Sequence, residues 1–127
     1  MTTPAYGSIG WVDLTVPDAP KLRDFYQQVA GWRPEPVKMS GYDDFSMLSA
    51  AGEAVAGICN ARGSNANQPP VWMIYIVVEH LDLALQNCLK LGGRVASPTR
   101  MVGGSRFAVI QDPADAFVAL WEPGEAA

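Results

Sequence analysis

The chain has 127 residues, 49% of them hydrophobic and 17% charged, a length and balance that suit one domain with its own core and argue against disorder. Nine Lys and Arg stand scattered among thirteen Asp and Glu, for a net charge of −4. Without a basic stripe, nucleic acid is not an expected partner, because phosphate binding rests on clustered positive charge.

In chain order, Trp11 to Val16 reads as a strand that stops at Pro17-Asp18. Leu22, Phe25, Tyr26 and Val29 then fall at i, i+3, i+4 and i+7, which predicts a helix with those four on its packed face. Asp18 is placed to cap it, Pro20 suits its first turn and Gly31 ends it. Arg33 to Met39 is a candidate strand, and Phe45 to Leu48 and Val55 to Ile58 read as two more, separated by a turn at Ala51-Gly52-Glu53. Residues 63–70, rich in Gly, Ser, Asn and Pro, read as a linker.

The same grammar then returns. Met73 to Val78 reads as a strand, and Leu81, Ala84, Leu85 and Cys88 form a second helical stripe stopped by Gly92-Gly93. Arg94 to Pro98, Phe107 to Ile110 and Phe117 to Leu120 complete the series, with a turn at Asp112 to Asp115. The two halves superpose at an offset of about 62 residues, slipping by one at the Gly31/Gly92 stops. The expected architecture is α+β: two tandem βαβββ modules forming a cupped, half-open mixed sheet with helices on the outside. Module one runs over about residues 7–61, the linker over about 62–70 and module two over about 71–123, in a single domain covering 1–127.

Strand alternation sorts the residues between the helix side and the cup. Val12, Leu14 and Val16 are assigned to the helices, which leaves Trp11, Asp13 and Thr15 for the cup. By the same rule Met73, Tyr75 and Val77 face the cup. The repeat adds Phe45, Met47, Gly57, Val109, Phe117, Ala119 and Trp121. Such a wall is apolar and aromatic, with a few polar anchors, and suits a metabolite-sized ligand.

Among the polar groups, Asp13 is open to three readings: a structural partner, an anchor for a cationic ligand, or a desolvated general base. Arg106, following Gly103-Gly104-Ser105, is a candidate for a ligand carboxylate, for pairing with Asp13, or for plain solvation. His80, the only histidine, reads as a solvated residue at a helix start. Cys59 and Cys88, far apart and without a CxxC pattern, read as reduced thiols rather than a disulfide. No nucleophile–base pair is arguable from these residues.

Taken together, Val12-Asp-Leu-Thr-Val-Pro-Asp18, Asp24-Phe25-Tyr26 with Gly31-Trp32, Leu91-Gly92-Gly93 and Gln111-Asp112-Pro113 resemble the vicinal oxygen chelate superfamily. That superfamily includes glyoxalase I, bleomycin-resistance proteins and extradiol dioxygenases, and the likeness runs from about Ile9 to Pro123. Tyr42 and Val55-Ala56-Gly57-Ile58 point to one branch of it. Metal-binding members carry ligands on the first and last strands of each module, positions that fall here on Trp11, Gly57, Met73 and Ala119. An indole, a thioether and two residues with no ligating group do not make a hard-cation site. The resemblance therefore implies a metal-free, cofactor-free binding protein for an aromatic or cationic compound, homodimeric; the reduced thiols point to the cytoplasm, and the longest apolar run, Val71 to Val78, is too short for a membrane partner to be expected. The alternatives are a metal-independent isomerase or lyase using Asp13, and after it a metal-dependent glyoxalase- or dioxygenase-type enzyme.

Overall fold

A computed structural model describes residues 4–124. Its elements in order are β1 (Ile9–Val16), α1 (Ala19–Ala30), β2 (Arg33–Lys38), β3 (Asp43–Leu48), β4 (Ala54–Asn60), β5 (Trp72–Val77), α2 (Leu81–Lys90), β6 (Arg94–Val102), β7 (Ser105–Gln111) and β8 (Phe117–Glu122). This is the strand–helix–three-strand unit given twice, as the sequence repeat predicts. The linker adds only one 3-10 turn at Gly63–Asn65. No helix among the described residues is long and apolar enough to cross a membrane.

The fold divides into two compact units, Val12–Trp72 and the residues up to Trp11 together with those from Met73 onward. In the first unit the strands are ordered β2-β3-β4-β1, and in the second β5-β8-β7-β6. Each unit thus pairs its outer strands antiparallel and closes on one parallel pair, β1 with β4 and β5 with β8. The start of β1 belongs to the second unit, where Gly7 and Ser8 exchange backbone hydrogen bonds with Val77.

Local chemistry accounts for the helices. Asp18 accepts from the Lys21 backbone N–H at 3.2 Å, and Gly31 closes α1 in the left-handed conformation. The buried strip of α1 runs through Ala19, Leu22 and Tyr26. Phe25 and Val29, expected on the packed face, lie on its flank and are 52% and 66% exposed. The helix turns about 100° per residue, so a stripe drawn through all four is wider than the contact with the sheet. In α2, Leu81, Ala84 and Leu85 of the expected face pack against Ala108, Ile110 and Leu120, whereas Cys88 lines a cleft on the same side. Cys59 and Cys88 are both free thiols.

Candidate functional site

In paired strands, residues directly opposite one another share a face. In the first unit Asp13 lies opposite Gly57, and Gly57 lies opposite Ser46. Thr15, buried, lies opposite Cys59. The face turned away from α1 is therefore small and polar, built from Asp13, Thr15, Ser46, Gly57 and Cys59. Nearby, Asp44 accepts from the backbone N–H and side-chain amide of Asn60 at 2.9 and 3.0 Å, which commits that buried carboxylate to holding β3 against β4.

Phe45 and Met47 are not on this face. Phe45 lies opposite Ile58 and joins Leu14, Val16, Ala19 and fully buried Met47 in the core under α1. The Arg23 guanidinium of α1 lies over the Phe45 ring, 4.8 Å from its centroid. The expectation that both residues face the cup is thus corrected, and its source is a β-bulge. Met47 pairs with Ala56 but Leu48 pairs with Ala54, so Val55 is an extra residue in β4. It puts β3 one residue out of step with the repeat, making Ser46 the equivalent of Val109. A shift of one residue sends every side chain of a strand to the opposite face.

In the second unit β5, β8 and β7 follow the expected register without a bulge, the irregularities there lying between β6 and β7. Tyr75 lies opposite Ala119 and Ala119 opposite Val109, the counterparts of Asp13, Gly57 and Ser46. Here the face away from α2 brings together Trp11, Met73, Tyr75, Val109, Phe117, Ala119 and Trp121, all placed on one face from sequence, and adds Phe107. Phe107 meets Tyr75 edge-on at 5.8 Å and stacks on Trp121 at 5.9 Å with 13° between ring planes. Its alternation with Val109 was the signal that could have found it. Gly10 is the floor for Trp121, because a Cβ there would sit 2.7 Å from the indole Cζ3 and 2.9 Å from Val77.

One polar atom in this cluster lacks a partner: the buried indole N–H of Trp121 makes no hydrogen bond among the described residues. Leaving a buried donor unmatched costs on the order of 1–3 kcal/mol.

Arg106 lies on the opposite face, in line with Ala108 and Ile110. Its guanidinium donates to Asp82 at 2.6 Å and to Glu122 at 3.3 Å. The hydrogen bond to Asp82 holds its pKa above the usual arginine value, with the charges of Asp82 and Glu122 adding to it. Glu122 in turn accepts the backbone N–H of Leu81 at 2.9 Å, so the network fastens the start of α2 to the sheet. This corrects the expectation that Arg106 reaches a ligand or Asp13: its place on the helix side turns it to Asp82 and Glu122.

The four positions that the family resemblance marks for metal ligands carry side chains that do not suit a cation. Met73 and Ala119 are buried among aromatic rings, Trp11 packs on the same cluster and Gly57 has no side chain. No group of three or more His, Cys, Asp or Glu able to hold a metal exists among the described residues. His80 and Glu79 approach to 3.5 Å as an exposed pair.

With this geometry in view, likeness to known proteins becomes informative. The chain is 34% identical to "Putative glyoxylase CFP32" of Mycobacterium tuberculosis over 91% of its own length and 46% of that protein's. It is 30% identical to the anthracycline biosynthesis protein DnrV of Streptomyces peucetius, over 98% of this chain and 50% of that one. The chain therefore spans about half the length of the curated relatives it matches. Its fold is similar to methylmalonyl-CoA epimerase from Mycobacterium tuberculosis, with a TM-score of 0.60 and 16% identity over 98% of this chain and 93% of that one. The family model for the Glyoxalase/Bleomycin resistance protein/Dioxygenase superfamily matches residues 8–120, and the chain belongs to that superfamily.

Proposed function

We propose that this protein binds a planar aromatic small molecule without a metal, on the aromatic face of its second unit. The observation that carries this reading is the Trp121 indole N–H, buried in the cluster of the Phe107 and Tyr75 rings and without a partner among the described residues. Flat rings stack favourably on such a wall, and a single donor fixes their orientation. The relative DnrV is named for anthracycline biosynthesis, and anthracyclines are flat, fused-ring aromatics with carbonyl and phenolic oxygens, a ligand chemistry that matches this wall. Metal independence is supported by the donor chemistry at Trp11, Gly57, Met73 and Ala119, which offers no oxygen or nitrogen ligand. A homodimer, expected from the family resemblance, belongs to the same proposal.

The test is calorimetric titration with a panel of fused-ring aromatics that carry carbonyl oxygens. Trp121→Phe retains the stacking surface but removes the donor, so affinity should fall about fivefold to tenfold, the worth of one neutral hydrogen bond. A panel in which nothing binds, or a Trp121→Phe variant that binds as tightly as the parent, would sink the reading.

A further inference from the structure

The internal repeat exposes a cleft on the helix side of the second unit, the side opposite the aromatic face. In the first unit the space between helix and sheet is plugged by the chain itself. Leu22 and Tyr26 of α1 and Trp32 after it pack onto the core. The Tyr26 ring lies 5.8 Å from Trp32 and 5.2 Å from Trp72, whose indole N–H donates to the Tyr26 hydroxyl at 3.2 Å.

In the second unit the equivalent positions hold much smaller side chains. Ala19 and Leu81, both fully buried first residues of their helices, fix the match. From there Leu22 corresponds to Ala84 and Tyr26 to Cys88, and, past the one-residue slip at the Gly31/Gly92 stops, Trp32 immediately before β2 corresponds to Gly93 immediately before β6. The missing bulk leaves a cleft of about 370 Å³ lined by Ala84, Cys88, Leu91, Gly93, Ile110 and Leu120. Gly93 is required for this arrangement, since a Cβ there would meet the Cys88 sulfur at 2.5 Å. The Asn87 amide and the Asp112–Pro113 turn also border the cleft, so its wall is apolar with a polar edge. That volume falls in the range of small-molecule sites.

We propose that this cleft binds a small, flat aromatic molecule of one or two rings, which takes the place that Tyr26 and Trp32 fill in the first unit. The argument is one of shape and chemistry. The same helix-on-sheet frame, with rings built in, closes in one unit; with Ala, Cys and Gly it stays open in the other. An apolar wall without its filler loses dispersion contacts that an aromatic guest restores. The site is separate from the Trp121 face and does not rest on the function proposed above.

Indole is a suitable probe, and Cys88 supplies a reporter inside the cleft with Cys59 as internal control. Alkylation of both thiols by iodoacetamide is followed residue by residue by mass spectrometry. At ten times its Kd, indole should slow modification of Cys88 about tenfold and leave Cys59 unchanged. Cys88→Tyr, which rebuilds the plug from within, should weaken indole binding at least about tenfold, whereas Trp121→Phe should leave the protection of Cys88 intact. Unprotected Cys88 at the solubility limit of indole would overturn the proposal. So would a folded Cys88→Tyr variant that binds indole as the parent does. Should that variant not fold, the protection measurement on the parent protein decides alone.

Discussion

The two modules use one frame for opposite ends. In the first, the helix side is filled with rings and the sheet's other face is small and polar, with Asp13, Thr15 and Ser46 around Gly57. In the second, the rings sit on the sheet face, around Tyr75, Phe107 and Trp121, and the helix side is thinly filled by Ala84 and Cys88. Matching registers at Asp13/Gly57 and Tyr75/Ala119 show that the backbone frame is shared. What diverged is where aromatic bulk was placed. A duplicated sheet therefore distributes aromatic bulk between its two faces differently in each copy, at the level of side-chain volume alone.

Variants break that comparison most sharply where the rings are structural. Tyr26→Ala should cost about 3 kcal/mol, because it opens a cavity among Leu22, Trp32 and Trp72, while its counterpart Cys88→Ala should cost less than about 1 kcal/mol. Denaturant unfolding of the two variants measures the difference, and equal losses would deny that only one helix is plugged. Next in size is Gly10→Ala, whose methyl group would press on Trp121 and Val77. Overpacking of this kind should lower stability by about 2 kcal/mol, and relaxing it by Trp121→Phe in the same chain should recover part of the loss.

The smallest expected effect is electrostatic. Arg23 donates to Asp24 at 2.9 Å on the surface of α1, and that hydrogen bond, then the charge beside it, holds the Asp24 pKa below its ordinary value. A carboxyl depressed on folding contributes stability above its unfolded pKa and loses it as pH falls through the folded value. Asp24→Asn should therefore leave neutral stability nearly unchanged and slightly flatten the acid limb of the unfolding curve. The raised pKa of Arg106 has the opposite sign, its contribution being present below the unfolded arginine value. Both of its pKa values lie above the working range, so Arg106 itself stays charged from pH 5 to 9, roughly. Thermal melts between pH 3 and 9 test both statements together.

Much of the fold was legible in the residues because it is encoded locally. The Asp18 cap, the Gly31 stop, the two strand–helix–strand series and the equivalence of Gly57 with Ala119 follow from capping chemistry and periodicity. The aromatic set of the second unit was also legible, since an unbroken strand alternates strictly. Phe45 and Met47 were not. Their face depends on the bulge at Val55, which appears only when β3 and β4 are laid side by side. Arg106 was misjudged for a related reason: its partners, Asp82 and Glu122, come from two other elements.

By itself, then, the sequence determined the order of elements, the duplication and the family, because each depends on residue identity at short range. Only the tertiary structure decided which face β3 presents, where Arg106 points, that the Trp121 N–H is left without a partner and that a cleft opens beside Cys88. Those features depend on cross-strand register and on volumes contributed by residues distant in the chain, and neither is written in any single stretch of it.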